Sequence, residues 1–306
     1  MTLSSKIDWT PPSRDGVGAS CIVLPAGSWL LLINFLVQRF PAISADVWQM
    51  RMAAGEVFDA SGQALAVDAL YRTHSKIFYY RSVAIETPIP FDEHIIFQDA
   101  YLVVADKPHF LPVTPAGRYV QQTLLVRLKR KLGIDTLAPI HRIDRETAGL
   151  VLFSIQPATR AAYQRLFRQR AVKKQYEAIA RWQPTLRLPM VVRSRLVEAE
   201  SFMQMQVVDG EANAETRIDL LKVEGTLARY ALAPTTGQRH QLRVQMNALG
   251  MPILNDRIYP HHLPETPVGE QEDFSQPLQL LAKSLQFVDP VTGQVRRFDS
   301  MRSLLF

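Results

Sequence analysis

The chain has 306 residues, of which 47% are hydrophobic and 21% charged, enough for one large domain and a small one to bury their own cores without disulfides or metals. Its one cysteine, Cys21, excludes a disulfide framework and the usual thiolate metal centres, and fits a reducing cytoplasm. The formal net charge of +6 is unevenly placed: residues 1–90 carry seven Lys/Arg and seven Asp/Glu, so the whole excess, 28 against 22, lies in 91–306 and favours a polyanionic partner there.

In chain order, residues 1–20 mix Pro, Gly and Ser and read as a loose N-terminal arm, without the basic-then-apolar pattern of a signal peptide. Apolar spacing predicts a helix over 28–40, stopped by Pro41, and a second from Ser44 or Asp46 through Trp48 and Met52 to Gly55. Extended pieces at 56–58 and 77–80 complete a small module over residues 21–88. The longest apolar run, 29–37, is interrupted by Asn34 and is too short to span a bilayer, so no membrane partner is expected. Residues 86–90, with Pro88 and Pro90, read as a stiff linker into a large domain over 89–306.

In that domain, 94–97 and 101–105 read as a hairpin turning at 98–100, and 123–132 as an amphipathic helix carrying Arg127, Lys129, Arg130 and Lys131. A strand over 150–154, a helix opened by Pro157 and running to about Gln169, and a strand over 175–182 follow. Helices and strands intermix, which predicts an α+β fold with a mixed, largely antiparallel sheet.

The chain has no Gly-x-Gly-x-x-Gly turn, Walker loop, His-Glu-x-x-His helix or nucleophilic serine elbow, so the expectation is chemistry by ordinary side chains with no cofactor and no metal. The densest polar segment is His141-Arg142-Ile143-Asp144-Arg145-Glu146-Thr147-Ala148-Gly149-Leu150, followed at once by an apolar strand. Read alone, it is either a reactive loop or a turn capped by Asp144 beside a solvated Arg145/Glu146 pair.

This segment resembles the signature His-Arg-Leu-Asp-x-x-Thr-Ser-Gly-Leu of the RluA family of pseudouridine synthases. Further blocks are similar to the same family in the same order. They are the 96–108 hairpin ending in Asp106-Lys107-Pro108, Lys174-Gln175-Tyr176-Glu177-Ala178, and Thr236-Gly237-Gln238-Arg239-His240-Gln241-Leu242-Arg243-Val244 followed by Gly250-Met251-Pro252-Ile253. The likeness spans about 91–300 and includes a final turn at 290–293. Three positions depart from it: Gln238 where Arg is usual, Gln245 for His, and Asn255-Asp256 for Gly-Asp. They bear on RNA contacts and packing rather than on the reaction. The N-terminal module, through its two helices and residues 51–57, resembles the small RNA-binding domain named after ribosomal protein S-four.

The resemblance implies conversion of uridine in structured RNA to pseudouridine, with ribosomal RNA favoured over transfer RNA, by a cytoplasmic monomer. It makes Asp144 the catalytic carboxylate, attacking the anomeric carbon or removing the neighbouring ribose proton. Arg243 is its counter-ion and Tyr176 the flat surface for the uracil. The reaction adds, removes and oxidises nothing, in keeping with the missing cofactor motifs. A helix over 237–249 would carry Arg239 and Arg243 one turn apart. Arg142 would fill the gap left by the flipped base, while His141 is either an RNA contact or a satisfied core residue. Between Gln156 and Tyr176 stand Arg160, Arg165, Arg168, Arg170, Lys173 and Lys174 with no acid among them. With the cations of 123–132, this one-signed run reads as a phosphate path. Two other readings stay open: an RNA-binding protein that no longer catalyses, and a carboxylate-based hydrolase using Glu146 as its second acid.

Overall fold

The computed structural model describes residues 9, 11–83, 85–200, 203–267 and 269–306. Contacts divide the chain into two units, Met1–Ala84 and Ile85–Phe306.

In the first unit β1 (Ser20–Val23), α1 (Leu32–Arg39), α2 (Ala45–Ala53), β2 (Val57–Asp59) and β3 (Lys76–Tyr79) form a three-stranded antiparallel sheet, β1-β3-β2, with two helices. Leu32, Phe35 and Leu36 of α1 and Trp48 and Met52 of α2 meet Val57, Ile77 and Tyr79 in one core. Ser44 caps α2 by accepting from the Val47 N–H, and Gly55 at φ +67° lets the chain leave it. The expected loose arm falls partly on residues 1–8 and 10, which lie outside the described residues. The rest of it packs: Trp9 meets the ring edges of Phe58 and Phe78, and the Tyr80 hydroxyl donates to the Pro12 carbonyl.

The second unit continues with β4 (His94–Gln98), β5 (Leu102–Lys107), α3 (Leu124–Leu132), β6 (Ala138–Pro139), β7 (Ala148–Ser154), α4 (Pro157–Arg168), β8 (Lys173–Arg181) and β9 (Met190–Glu198). There follow β10 (Met205–Val208), β11 (Ala214–Glu224), β12 (Leu227–Pro234), α5 (Gln241–Ala248), β13 (Leu280–Val288) and β14 (Val295–Asp299). The strands join in one sheet of order β10-β9-β11-β12-β8-β13-β7-β5-β4, with β14 on β13 and β6 on β7. Among these pairs only β13–β7 is parallel, which is the mixed, largely antiparallel sheet expected of an α+β domain. Alternation along β5 and β7 decides the layers. Val103, Ala105, Val151 and Phe153 face Leu124 and Leu128 of α3, whereas Leu102, Val104, Leu150 and Leu152 face Tyr163 of α4. Leu242 and Met246 of α5 cover β8, β11 and β12.

The segment read as a linker belongs to this second unit. The Glu86 carboxylate accepts the N–H groups of Val120, Gln121 and Gln122, and Ile89 is buried in the α3-side core. Pro88 and Pro90 lie within it, but its Glu86 carboxylate finds partners more than thirty positions later.

Candidate active site

Asp144 stands in the turn between β6 and β7, where its carbonyl accepts the Thr147 N–H at 3.2 Å. Two features fix this turn. Gly149 at φ +110° lies so close to β13 that a Cβ would sit 2.3 Å from the Ala282 carbonyl oxygen, so only glycine allows this strand contact. Lys107 is fully buried, and its Nζ donates at 2.9 Å to the carbonyls of Pro108 and Arg145, the latter directly after Asp144. Burial pulls the Lys107 ammonium down to about 7, opposed by the charges of Glu146 and Asp144.

Arg145 anchors the turn on its other side. Its guanidinium pairs with the buried Glu272, its Nε donates to the Phe110 carbonyl at 3.1 Å, and it lies 4.9 Å from the Tyr119 ring centroid. Glu272 also accepts from the Tyr119 hydroxyl at 2.6 Å and faces Arg118 at 3.6 Å.

Arg243 projects from α5 and is 2% exposed. Its Nε and Nη2 donate to the two oxygens of Asp256 at 2.8 and 2.6 Å, a two-pronged clamp, and Nη1 reaches the Asp144 carboxylate at 3.3 Å. Asp256 is oriented in turn by the N–H groups of Ile258 and Tyr259. Asp256 was not among the site residues expected from sequence, although the Asn255-Asp256 departure pointed at the position. Asn255 stands there at φ +62°, a left-handed conformation that asparagine tolerates better than most residues, so it can occupy a glycine position. Burial by itself would raise the Asp144 carboxyl. The Arg243 cation, with His240 and Arg142, outweighs burial and holds it below the usual carboxylate range. Burial likewise disfavours charge on Arg243, but its two carboxylate partners raise its pKa.

Tyr176 lies in β8 opposite Leu232 of β12 and Ala282 of β13, and packs against both the α3-side and α5-side cores. Burial and then the nearby Asp144 charge raise its phenol pKa, so the ring is neutral. His141 is held within the framework: its Nε2 accepts the Leu152 N–H at 3.1 Å and its ring stacks on Phe167 of α4 at 4.4 Å. Burial, aided by Lys174, lowers it to about 3, so it is neutral with its proton on Nδ1. Lys174, two residues before Tyr176, donates to the Thr236 carbonyl, and burial followed by Arg170 lowers it to about 8.

Several expectations change here. The helix bearing Arg243 begins at Gln241, after His240 in a left-handed conformation, so Arg239 precedes the helix rather than lying one turn from Arg243 on it. Arg239 faces Glu198 of β9 at 3.5 Å. Arg127 does not line an outer path. Its guanidinium donates to the carbonyls of Phe91 and Ile89 at 2.7 Å and lies beside Glu93. Arg142, Arg165 and Arg168 are exposed. Gln245, in place of the usual His, is buried and bridges Thr216 and Ser194, tying α5 to β11 and β9.

A sequence profile described as RNA pseudouridylate synthase matches residues 101–248. The chain is 33% identical over 214 residues to the dual-specificity RNA pseudouridine synthase RluA of Haemophilus influenzae, covering 67% of this chain and 91% of that protein. It is 30% identical over 208 residues to the same-named protein of Salmonella typhimurium, covering 67% and 90%. A yeast relative named tRNA pseudouridine(32) synthase, mitochondrial, is 31% identical over 172 residues, covering 54% of this chain and 36% of that one. Human RNA Pseudouridylate Synthase Domain Containing 4 superposes with a TM-score of 0.53 at 28% identity, covering 69% of this chain and 88% of that one.

Proposed function

We propose, from the premise that this chain belongs to the RluA-type family of RNA pseudouridine synthases, that Asp144, Tyr176 and Arg243 carry out its conversion of uridine in RNA to pseudouridine. The single observation that carries this assignment is the chain Asp144–Arg243–Asp256. A carboxylate that attacks the anomeric carbon, or takes the neighbouring ribose proton, must stay ionised in a site that closes around a base. Arg243, locked by a second carboxylate, is the group that keeps it so. Tyr176 gives the extruded uracil a neutral aromatic face, a contact worth about 1–3 kcal/mol per base.

The remaining roles follow position. Arg142, exposed and two residues from Asp144, enters the space vacated by the flipped base. Arg165 and Arg168 of α4 meet backbone phosphates, and Arg239 and Lys174 hold the RNA at the edges of the site. His141 acts as a positioning residue that ties the Asp144 loop to β7 and α4. The RNA is ribosomal, a preference that rests on the resemblance of the N-terminal unit to the S-four domain. The enzyme works as a cytoplasmic monomer, a reading supported by the lone cysteine and by catalytic groups that all come from residues 85–306 of one chain.

The test of the catalytic assignment is Asp144→Asn, which keeps the shape and removes the charge. Pseudouridine formation should fall by on the order of 10⁴-fold while RNA binding persists, and near-normal turnover would refute the assignment. Mapping pseudouridine in ribosomal and transfer RNA from cells with and without the gene decides the substrate, and a lost site in transfer RNA alone overturns the ribosomal preference.

A further inference from the structure

At the start of β8, a depression of about 370 Å³ is lined by Arg170, Lys173, Gln175, Ser284, Gln286 and Arg297, among others. Register explains why these side chains meet. Lys173 lies opposite Gln286 of β13, which lies opposite Arg297 of β14, while Gln175 lies opposite Ser284. Residues directly opposite in an antiparallel pair share a face. Leu285, between the two rows, points the other way into the α4-side core. Three cations and three neutral hydrogen-bonding side chains thus crowd one depression, and none of these six lining residues is acidic. Arg297 is engaged by Asp299 at 3.2 Å, but Arg170 and Lys173 have no carboxylate partner among the described residues. Arg170 holds φ +56°, a left-handed conformation that a β-carbon disfavours, so the turn after α4 presents it against backbone preference.

We infer that this depression binds a phosphate of the RNA backbone outside the nucleotide that reacts, so that the substrate strand continues past the start of β8. The inference rests on the reading of Asp144 and Tyr176 as the reactive site. Lys174 and Thr235 line the same depression, and Lys174 is only two strand residues from Tyr176, about 6–7 Å. The neutral donors Gln175, Ser284 and Gln286 suit phosphate oxygens, which accept hydrogen bonds without offering sequence information.

The experiment uses the full chain and ribosomal RNA transcribed in vitro, in binding titrations at several salt concentrations alongside single-turnover pseudouridine formation. Lys173→Gln and Arg297→Gln should each weaken binding several-fold and lower the log–log salt slope by about 0.7, the value for one single-strand phosphate contact. Ser284→Glu, which places a carboxylate in the depression, should weaken binding further. Lys222→Gln, which removes one cation from β11, should leave affinity and slope at wild-type values. Wild-type slopes for both Lys173→Gln and Arg297→Gln would overturn the inference, even if the enzyme is active. The expected slope differences between variants and wild type, in a wild-type chain that forms no pseudouridine, would instead count against the catalytic reading and leave the phosphate site standing.

Discussion

Arg243 and the pair Arg165 and Arg168 put the same side chain to opposite uses in one domain. Arg243 is buried and each of its three guanidinium nitrogens is engaged, two by Asp256 and one by Asp144. Arg165 and Arg168 stand exposed in the last turn of α4 with no carboxylate partner among the described residues. A guanidinium fixed between two carboxylates cannot be recruited by RNA, but it sets the ionisation of the group it touches. A guanidinium in water contributes little to stability and remains available to a polyanion. The lesson is that partners, rather than residue type, tell an internal regulator of charge from an external handle.

The sharpest break in that contrast comes from Arg243→Met. The buried Asp256 would lose its counter-ion, a change that costs about 3–5 kcal/mol in comparable buried pairs, read by thermal or denaturant unfolding. Turnover should collapse as well. Arg243→Lys keeps a charge but cannot clamp both oxygens, and should fold with a reduced rate and a displaced pH profile. The sign is fixed: Asp144 has a depressed pKa, so activity is present above that pKa and is lost as pH falls through it. Weakening the cation raises the Asp144 pKa, so the acid limb of kcat/KM should move to higher pH. An unmoved limb would mean that Arg243 does not control Asp144.

Arg127 tests the same division from an arginine whose sequence setting looked external. Since it holds the carbonyls of Ile89 and Phe91, Arg127→Ala should cost about 1–3 kcal/mol of stability and leave the salt dependence of RNA binding unaltered. For the same reason a fragment starting at Ile85 should fold better than one starting at Phe91, which lacks Glu86 and Ile89. Equal unfolding midpoints for the two fragments would count against this docking.

Smaller effects are expected outside. Arg142→Ala should slow single-turnover formation of pseudouridine more than it weakens affinity, because flipping costs a few kcal/mol that this side chain helps to offset. Arg165→Ala and Arg168→Ala should each leave that rate alone and lower the salt slope by about 0.7–0.9. The reverse pattern, rate loss at Arg165 and pure affinity loss at Arg142, would exchange their roles.

Much of this domain was legible in its residues. Two apolar runs flanking a turn located the hairpin of β4 and β5, the amphipathic stretch 123–132 located α3, and Pro157 opened α4. Asp144, Tyr176 and Arg243 came from motif likeness, and the structure brings Asp144 within 3.3 Å of Arg243 across 99 positions of chain. What could not be read was direction and partnership. The spacing of α3 shows an amphipathic helix but not that Arg127 turns inward, since its acceptors are carbonyls, which every residue has. Asp256 carried only a glycine-replacement signal at its neighbour, and its role depends on two backbone N–H groups shaping the loop around it. The early start of the α5 prediction failed at His240, whose left-handed conformation no propensity rule anticipates.

The placement of β13 has a consequence for the order of events on the ribosome. This strand lies between β8 and β7, yet it enters the sheet more than 130 residues after Ala148, with Leu281 paired to Ala148 itself. Until residues 280–288 have left the exit tunnel, the Tyr176 strand and the Asp144 strand have no common neighbour to bring them into register. Domains form as units during synthesis, and long-range pairings are the slow ones. A nascent chain that has already released Asp144, Tyr176 and Arg243 therefore still lacks the strand that joins β7 to β8 in one sheet.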